Sequence, residues 1–370
     1  MKASLSTADL LAELQTVTRV ASTRSAVQAL SGVMLRVSDD SVTELLATDG
    51  EIGLRVMLPA DASEPGEAVL PGRLLLDVVR SLPGDRLTLA LRPSEQDVEL
   101  VCGAATFHLR TLRSEDFPNL PTAAEDNRLA LPVEAFVQTV SQVARSASRD
   151  ETRPVLTGIL MSASGQELRM VATDSYRLSV KETALAAPLA GAIEANIPAR
   201  ALQELVRIAQ QADSESLVVS VTQNQIVFEL AGVVLSSRLI DGQFPNYRQL
   251  LPESVEYELR LATPELAGVV RRISLLALKN TPLRLGFREG ELTVSAQTPD
   301  VGEASESLPV PFQGEPFDIG FNPEFLRDGL DSVESEELIL KLISPLRPGV
   351  VESPEGGQFV YLIMPIRLNV

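Results

Sequence analysis

Two aspartates recur in near-identical settings, Asp49 in LATDGEIGL and Asp174 in VATDSYRLS, and paired carboxylates are what acid–base hydrolysis uses. An acidic-residue hydrolase built on Asp49 and Asp174 is therefore one reading. The D-T/S-G triplet of proteases that share a proton between carboxylates is absent, and the third counterpart of the motif reads AQTPD. An aspartate between two strands also serves as a turn residue, its side chain accepting backbone N–H groups just downstream. No P-loop, GxGxxG or HExxH string occurs. With one histidine, His108, and one cysteine, Cys102, neither an imidazole triad nor a Cys/His metal cluster can be assembled, so no metal or cofactor is expected. His108 alternates within TFHLRTL and reads as a strand residue.

The other chemistry on offer is electrostatic. The chain of 370 residues has a net charge of −18, which repels polyanions and anionic membranes at long range. Its cations are nevertheless gathered on helical segments: Arg19, Arg24, Arg73, Arg80, Arg145, Arg149, Arg200, Arg207, Arg271, Arg272 and Lys279 stand there against seven carboxylates. Arg73 with Arg80, and Arg200 with Arg207, are seven apart and share one polar stripe. A stripe of this kind meets phosphates without reading bases. Aromatic residues are only 4% with no Trp, which argues against base-stacking platforms for single strands.

The helices that carry these charges show apolar periodicity. Six segments begin near Ser6, Pro71, Pro132, Pro198, Thr263 and Pro323, separated by 65, 61, 66, 65 and 60 residues. Proline at or near five of the starts suits a first helical turn. The sixth segment is acidic, with Arg327 outweighed by Glu324, Asp328, Asp331 and Glu334. Between the helices lie strand-like runs such as VTELLAT, RLTLALR, DVELVC, ELRMVAT, SLVVSV, QIVFEL, LTVSA and ELILKLI. Motifs recur too: SGVMLRV with TGILMSA, and LRTLRSEDFPNLP with SRLIDGQFPNYRQLLP. Asp49 to Asp174 spans 125 residues and Phe117 to Phe244 spans 127, a third of the chain, so three homologous domains of two helix-plus-strands halves are expected. Non-periodic stretches at 121–127 and 251–258 mark the joins. The lone cysteine suits a reducing compartment. No uninterrupted apolar leader or membrane-length apolar run is seen, so a cytoplasmic location without a membrane span is expected.

VATDSYRL (171–178), LIDGQFPNYRQLLP (239–252), DIGFNPEFL (318–326) and the terminal YLIMPIRL (361–368) resemble the bacterial DNA sliding clamps, the beta subunits of DNA polymerase III, in order and end to end. The resemblance implies an α+β chain of three DNA-clamp domains, 1–124, 125–253 and 254–370. Each has two helices packed on antiparallel sheets. It further implies a head-to-tail homodimeric ring around double-stranded DNA, helices inside and sheets outside, nucleoid-associated and not an enzyme. Its partners would be the replicative polymerase alpha subunit, the clamp-loader complex and other proteins carrying clamp-binding motifs.

By motif position, Arg24 and Arg200 match basic family positions that touch DNA, and the stripes add Arg73, Arg80 and Arg207. Near 148–154 the chain departs from the family with Asp150 and Pro154, where Arg149 and Arg153 would substitute. The family's peptide pocket maps onto Leu156, Thr173, Ser175, Tyr176, Arg177, Leu178, Pro245, Leu250, Leu362, Met364, Pro365, Ile366 and Arg367, with Arg177, Arg367 and the Thr173 hydroxyl as polar anchors. Gln249 stands where a basic residue is expected. The ring joint maps onto Phe107 and Leu109 at one end and Leu275 and Leu276 at the other.

Overall fold

The computed structural model describes residues 1–22, 25–38, 42–123, 128–277, 281–354 and 358–368. Arg24, Lys279 and part of the expected join at 121–127 lie outside the described residues. The first third runs β1 (Lys2–Ser6), α1 (Thr7–Val17), β2 (Gly32–Val37), β3 (Val42–Thr48), β4 (Ile52–Pro59), β5 (Asp61–Glu64), β6 (Gly66–Pro71), α2 (Gly72–Ser81), β7 (Arg86–Arg92), β8 (Asp97–Cys102) and β9 (Ala105–Arg110). The second runs β10 (Arg128–Pro132), α3 (Val133–Val143), β11 (Gly158–Ser164), β12 (Glu167–Thr173), β13 (Arg177–Ala184), β14 (Ile193–Pro198), α4 (Ala199–Ala209), β15 (Ser216–Val221), β16 (Gln225–Leu230) and β17 (Val233–Arg238). The third runs β18 (Tyr257–Ala262), α5 (Thr263–Ile273), β19 (Leu283–Arg288), β20 (Glu291–Thr298), β21 (Gly302–Pro309), β22 (Phe317–Phe321), α6 (Pro323–Asp331), β23 (Glu337–Leu342), β24 (Gly349–Glu352) and β25 (Phe359–Ile363).

The order is one α+β pattern written three times, with β5 the single addition. Each helix buries the face that its periodicity marks, for example Leu10, Leu14 and Val17 of α1 and Leu266, Val270 and Ile273 of α5. Helix starts differ in their chemistry. The Ser6 hydroxyl accepts from the Asp9 amide at the head of α1, and the Asn322 carbonyl caps α6 through Glu324 and Phe325. Pro264 and Pro323 occupy first turns as expected, but Pro71, Pro132 and Pro198 do not. Each is the last residue of a strand, paired with Gly32, Ser216 and Gly158 respectively, so the proline ends a ladder and the helix begins one residue later.

The chain divides into two compact units, Met1–Val133 with Glu204–Leu239 and Glu134–Gln203 with Ile240–Val370, so the division cuts through the middle third. The first unit holds a five-stranded sheet, β5-β1-β7-β8-β9, and an eight-stranded sheet, β10-β15-β16-β17-β4-β3-β2-β6. The second holds an eight-stranded sheet, β14-β11-β12-β13-β25-β24-β23-β18, and a four-stranded sheet, β21-β20-β19-β22. Each eight-stranded sheet is therefore two half-sheets from successive repeats, sealed by an antiparallel ladder: β17 on β4, from Val233 opposite Val56 to Ser237 opposite Ile52, and β13 on β25, from Arg177 opposite Ile363 to Lys181 opposite Phe359. Backbone groups that would be edge donors and acceptors are thereby satisfied.

Ion pairs support each of these seals. In the first unit the largely buried Glu204 of α4 accepts from Arg19 just beyond α1, at 2.5 Å, and from Arg207 at 3.0 Å. In the second, Asp328 of α6 takes Arg145 at 3.4 Å and Arg177 at 2.6 Å, while Asp331 takes Arg271 at 3.3 Å. The acidic sixth helix is thus a counter-ion for cations that flank it.

Replacing Glu204 by Ala removes the charge-assisted hydrogen bonds to Arg19 and Arg207 together and should lower the unfolding free energy by about 2 kcal/mol, read from urea unfolding. Replacing the exposed Asp77 should change it by no more than about 0.5 kcal/mol. Lys181 is buried on β13, and burial pushes its ammonium below the ordinary lysine value with Glu334 only partly opposing. Between the two values the unfolded chain binds more protons, so the wild type gains stability as pH rises through that window. Lys181→Met should be the more stable protein at neutral pH in thermal unfolding, with its advantage shrinking toward alkaline pH.

Candidate functional site

The motif shared by Asp49 and Asp174 is a turn with the same bonds in both repeats. Asp49 Oδ1 accepts from the Glu51 and Ile52 amides at 2.9 and 2.8 Å, and Asp174 Oδ1 accepts from Tyr176 and Arg177 at 2.9 and 3.0 Å. The preceding threonines donate to the backbone across the turn, Thr48 to Ile52 and Thr173 to Arg177, both at 2.7 Å. Each also accepts an amide, from Gly50 and Ser175. Each carboxylate thus serves as the acceptor that holds its own turn, the turn role open to these aspartates from sequence, and not as one half of an acid–base pair. The Thr173 hydroxyl is likewise spent inside the turn and does not stand ready as a peptide anchor. His108 lies on β9 opposite Glu99, its Nε2 4.0 Å from the carboxylate, as a strand residue.

In the second repeat this turn borders an apolar cluster within the second unit. Leu178 and Leu362 face each other in the β13 and β25 ladder and sit in an apolar cluster with Val171, Val180, Tyr247 and Val350, against which Phe244 and Leu251 pack. The crossing segment that brings Phe244 and Tyr247 here carries the exposed Pro245 and Leu250. The Met364 amide donates to the Tyr176 carbonyl at 2.8 Å, tying the strand exit to the turn. Tyr176, Leu250 and Met364 are all exposed, although apolar groups of this size are ordinarily covered. Leu156 is buried in the 3-10 turn Pro154–Thr157, whose neighbour Arg153 donates to the Ser175 hydroxyl at 3.0 Å. Pro365 is half-buried, and Ile366 and Arg367 line a hollow of about 830 Å³ with Thr281, Arg284, Ser295 and Ser305.

Arg177 departs from its expected role. It is buried, with Nε on Asp174 at 3.0 Å, Nη1 on Asp328 at 2.6 Å and its guanidinium 4.3 Å from the Phe325 ring centre. Burial would lower its pKa, but Tyr361, Asp328 and Asp174 outweigh burial and hold the guanidinium above its ordinary value. It braces the turn from behind, and Arg367 is the exposed cation of the pair. Phe325, which stacks with Tyr176 at 6.5 Å, belongs to this brace and was not singled out from sequence. Its place in DIGFNPEFL next to the Asn322 cap was the available signal.

The expected DNA-facing cations are exposed on their helices, opposite the buried stripes: Arg73 and Arg80 on α2, Arg200 and Arg207 on α4. Arg80 pairs with Asp77 at 3.3 Å and Arg207 with Glu204. Among the described residues, neither Arg73 nor Arg149 has a carboxylate in reach, whereas Arg153 is drawn to Asp150 at 2.9 Å and closes its own loop. At the expected joint, Leu275 is exposed and Leu276 and Phe107 are half-buried, but Leu109 is buried in the core behind β9 and presents no joint surface.

Family models for the DNA polymerase III beta subunit match residues 1–121 (N-terminal domain), 130–246 (central domain) and 248–367 (C-terminal domain). The chain belongs to the DNA polymerase III beta subunit family, the beta sliding clamps. The Streptomyces coelicolor beta sliding clamp is 32% identical over 94% of both chains. The solved Bacillus subtilis DNA polymerase sliding clamp superposes with a TM-score of 0.93 at 27% identity, covering all of both chains. The Pseudomonas aeruginosa clamp, solved bound to griselimycin, gives 0.91 at 27% identity, also over full length. The three clamp domains are the three written patterns of the fold. Among the described residues no helix is long and apolar enough to cross a membrane.

Ser175 occupies the positive-φ position of the clamp turn, φ 81°, where its counterpart in the first repeat is Gly50 at φ 95°. A side chain is strained there. Ser175→Gly should raise the unfolding free energy by about 0.5–1 kcal/mol, and Leu178→Ala should lower it by about 3 kcal/mol. Both are read by urea unfolding of the full chain.

Proposed function

We propose that two copies of this clamp close head to tail into a ring that encircles duplex DNA, slides without sequence preference and tethers the replicative polymerase. The observation that carries this reading is a pair of open sheet edges. Twice in the chain, the last strand of one repeat's second half-sheet is sealed by the last strand of the preceding repeat's first half-sheet: β17 by β4 and β25 by β13. A third application pairs β9 with β21, and these end their own sheets. A second copy offers both strands in the required order, so two heterologous contacts close and neither of these two edges is left for fibre growth. The domains 1–124, 125–253 and 254–370 then form each arc.

In this reading Arg73, Arg149, Arg200 and the stripes around them, Arg24, Arg80 and Arg207 included, meet phosphates through diffuse and salt-sensitive contacts. Exposed Tyr176, Leu250 and Met364 over buried Leu178 and Leu362, with Thr173, Ser175 and Arg177 shaping the turn, form the grip for short peptides of the polymerase alpha subunit, the clamp loader and other clamp-binding proteins. Leu156, Pro245, Pro365, Ile366 and Arg367 complete its border. A clamp relative that binds griselimycin supports a ligand site on this fold apart from DNA. The ring works in the cytoplasm on the nucleoid.

The test is topological. Labelled protein is loaded by a clamp-loader ATPase onto nicked circular duplex, which is then cut once. Retention on circles and at least tenfold loss from the linear product is the expected result. Protein that stays bound after cutting, or never loads with an active loader, overturns the ring. Arg73→Glu with Arg149→Glu should shorten the residence time on circles and flatten its dependence on salt.

A further inference from the structure

Each sheet seal inside the chain is accompanied by a helix contact at a fixed position. Counted from the starts of α1, α3 and α5, residues Arg19, Arg145 and Leu275 are equivalent; counted from α2, α4 and α6, so are Asp77, Glu204 and Asp328. Arg19 bonds Glu204 and Arg145 bonds Asp328, one pair across each seal. Leu275 and Asp77 are the members of the third pair, at the two ends of the chain's pattern, and there the arginine has become leucine. Leu275 is 81% exposed, and the Asp77 side chain is 55% exposed where that of Glu204 is 8%. Leu74, one helical turn before Asp77 and so on the same face, is 48% exposed. Phe107 tells the same story. The ladders make it equivalent to Leu235 and Tyr361, which are fully buried beside their seals, while Phe107 is only half-buried.

We propose that Leu74 and Asp77 on α2 form the seat for Leu275 of the next copy, so that the joint between copies keeps the geometry of the internal seals but replaces their ion pair with an apolar contact. The inference rests on the ring reading and names what the ring's joint is made of. An exposed leucine facing an exposed leucine gains from burial without the desolvation that a cation and a carboxylate undergo. The retained Asp77 means that the exchange is reversible by a single substitution.

Sedimentation of the full chain in 50 mM and 500 mM salt tests this. The wild type should be a dimer at both; a wild-type monomer at micromolar concentration defeats the ring reading itself. Given a dimer, Leu275→Ala and Leu74→Ala should each weaken it at least tenfold. Leu275→Arg should stay within tenfold of wild type at low salt and dissociate at high salt, because Asp77 now serves as Glu204 and Asp328 do. Adding Asp77→Ala to Leu275→Arg should cost at least a further tenfold at low salt. A wild-type dimer that ignores Leu74→Ala, or in which Leu275→Arg behaves the same with and without Asp77, overturns the seat while leaving the ring standing. Leu74→Cys with Leu275→Cys in a Cys102→Ser background should give a disulfide between copies on oxidation. If it does not, the seat is wrong whatever the charge variants do.

Discussion

A sheet edge is a row of unpaired backbone donors and acceptors, and the architecture of this chain follows from the need to seal such rows. Each repeat contributes two half-sheets whose final strands are long and regular, from Ile52–Pro59 on β4 to Phe359–Ile363 on β25. Left bare, they would recruit other chains. The chain seals four of the six against one another, which is why its compact units do not coincide with its sequence repeats and why the middle repeat is shared between them. The joins that hold the repeats together are main-chain ladders, and the connecting segments around 111–121 and 239–252 are free to cross the sheets and plug apolar faces with Phe117, Phe244 and Tyr247.

The charge distribution is subordinate to these seals. An acidic chain whose cations are gathered on its helices faces the problem that its own carboxylates will claim them. Much of that claim is structural here: Glu204, Asp328 and Asp331 hold Arg19, Arg207, Arg145, Arg177 and Arg271 at helix ends and seals. The net cation excess of the helices is therefore smaller in effect than a count suggests, and it rests on cations such as Arg73 and Arg149, which form no ion pair among the described residues. A weak, spread positive field suits contact with a polyanion that has to move.

The helices and strands were legible because each has one buried face, and burial writes its period into the sequence: VTELLAT, ELRMVAT and QIVFEL coincide with β3, β12 and β16. The turn role of Asp174 was legible for the same local reason. What escaped depends on partners distant in sequence. Arg177 reads as a surface anchor until Asp328, 151 residues away, is seen to take its guanidinium. The acidic α6 reads as an exception until the cations it neutralises are placed beside it. Leu109 reads as a joint residue because it shares a strand face with Phe107 two residues before it, yet that face is covered at Leu109 and only half covered at Phe107. Three helix-initiating prolines turned out to end strands, because a residue without an N–H suits the end of a ladder as well as the start of a helix.

In the proposed ring the two kinds of joint face different thermodynamic demands, and their chemistry differs accordingly. The internal seals are formed between segments of one chain, so the second segment is always present at high effective concentration, and a contact that is worth little net energy still fixes register. A partly buried ion pair, its carboxylate covered and its arginine at the surface, suits that role because it contributes specificity and punishes misalignment, even where desolvation consumes much of its attraction. A joint between copies must in addition offset the loss of translational and rotational freedom, an amount on the order of 4–15 kcal/mol. Apolar surface meets that demand better than a solvated charge pair. An opened apolar joint also re-forms over a range of orientations that a paired arginine would reject, which is the behaviour that the proposed ring requires of a seam that admits DNA.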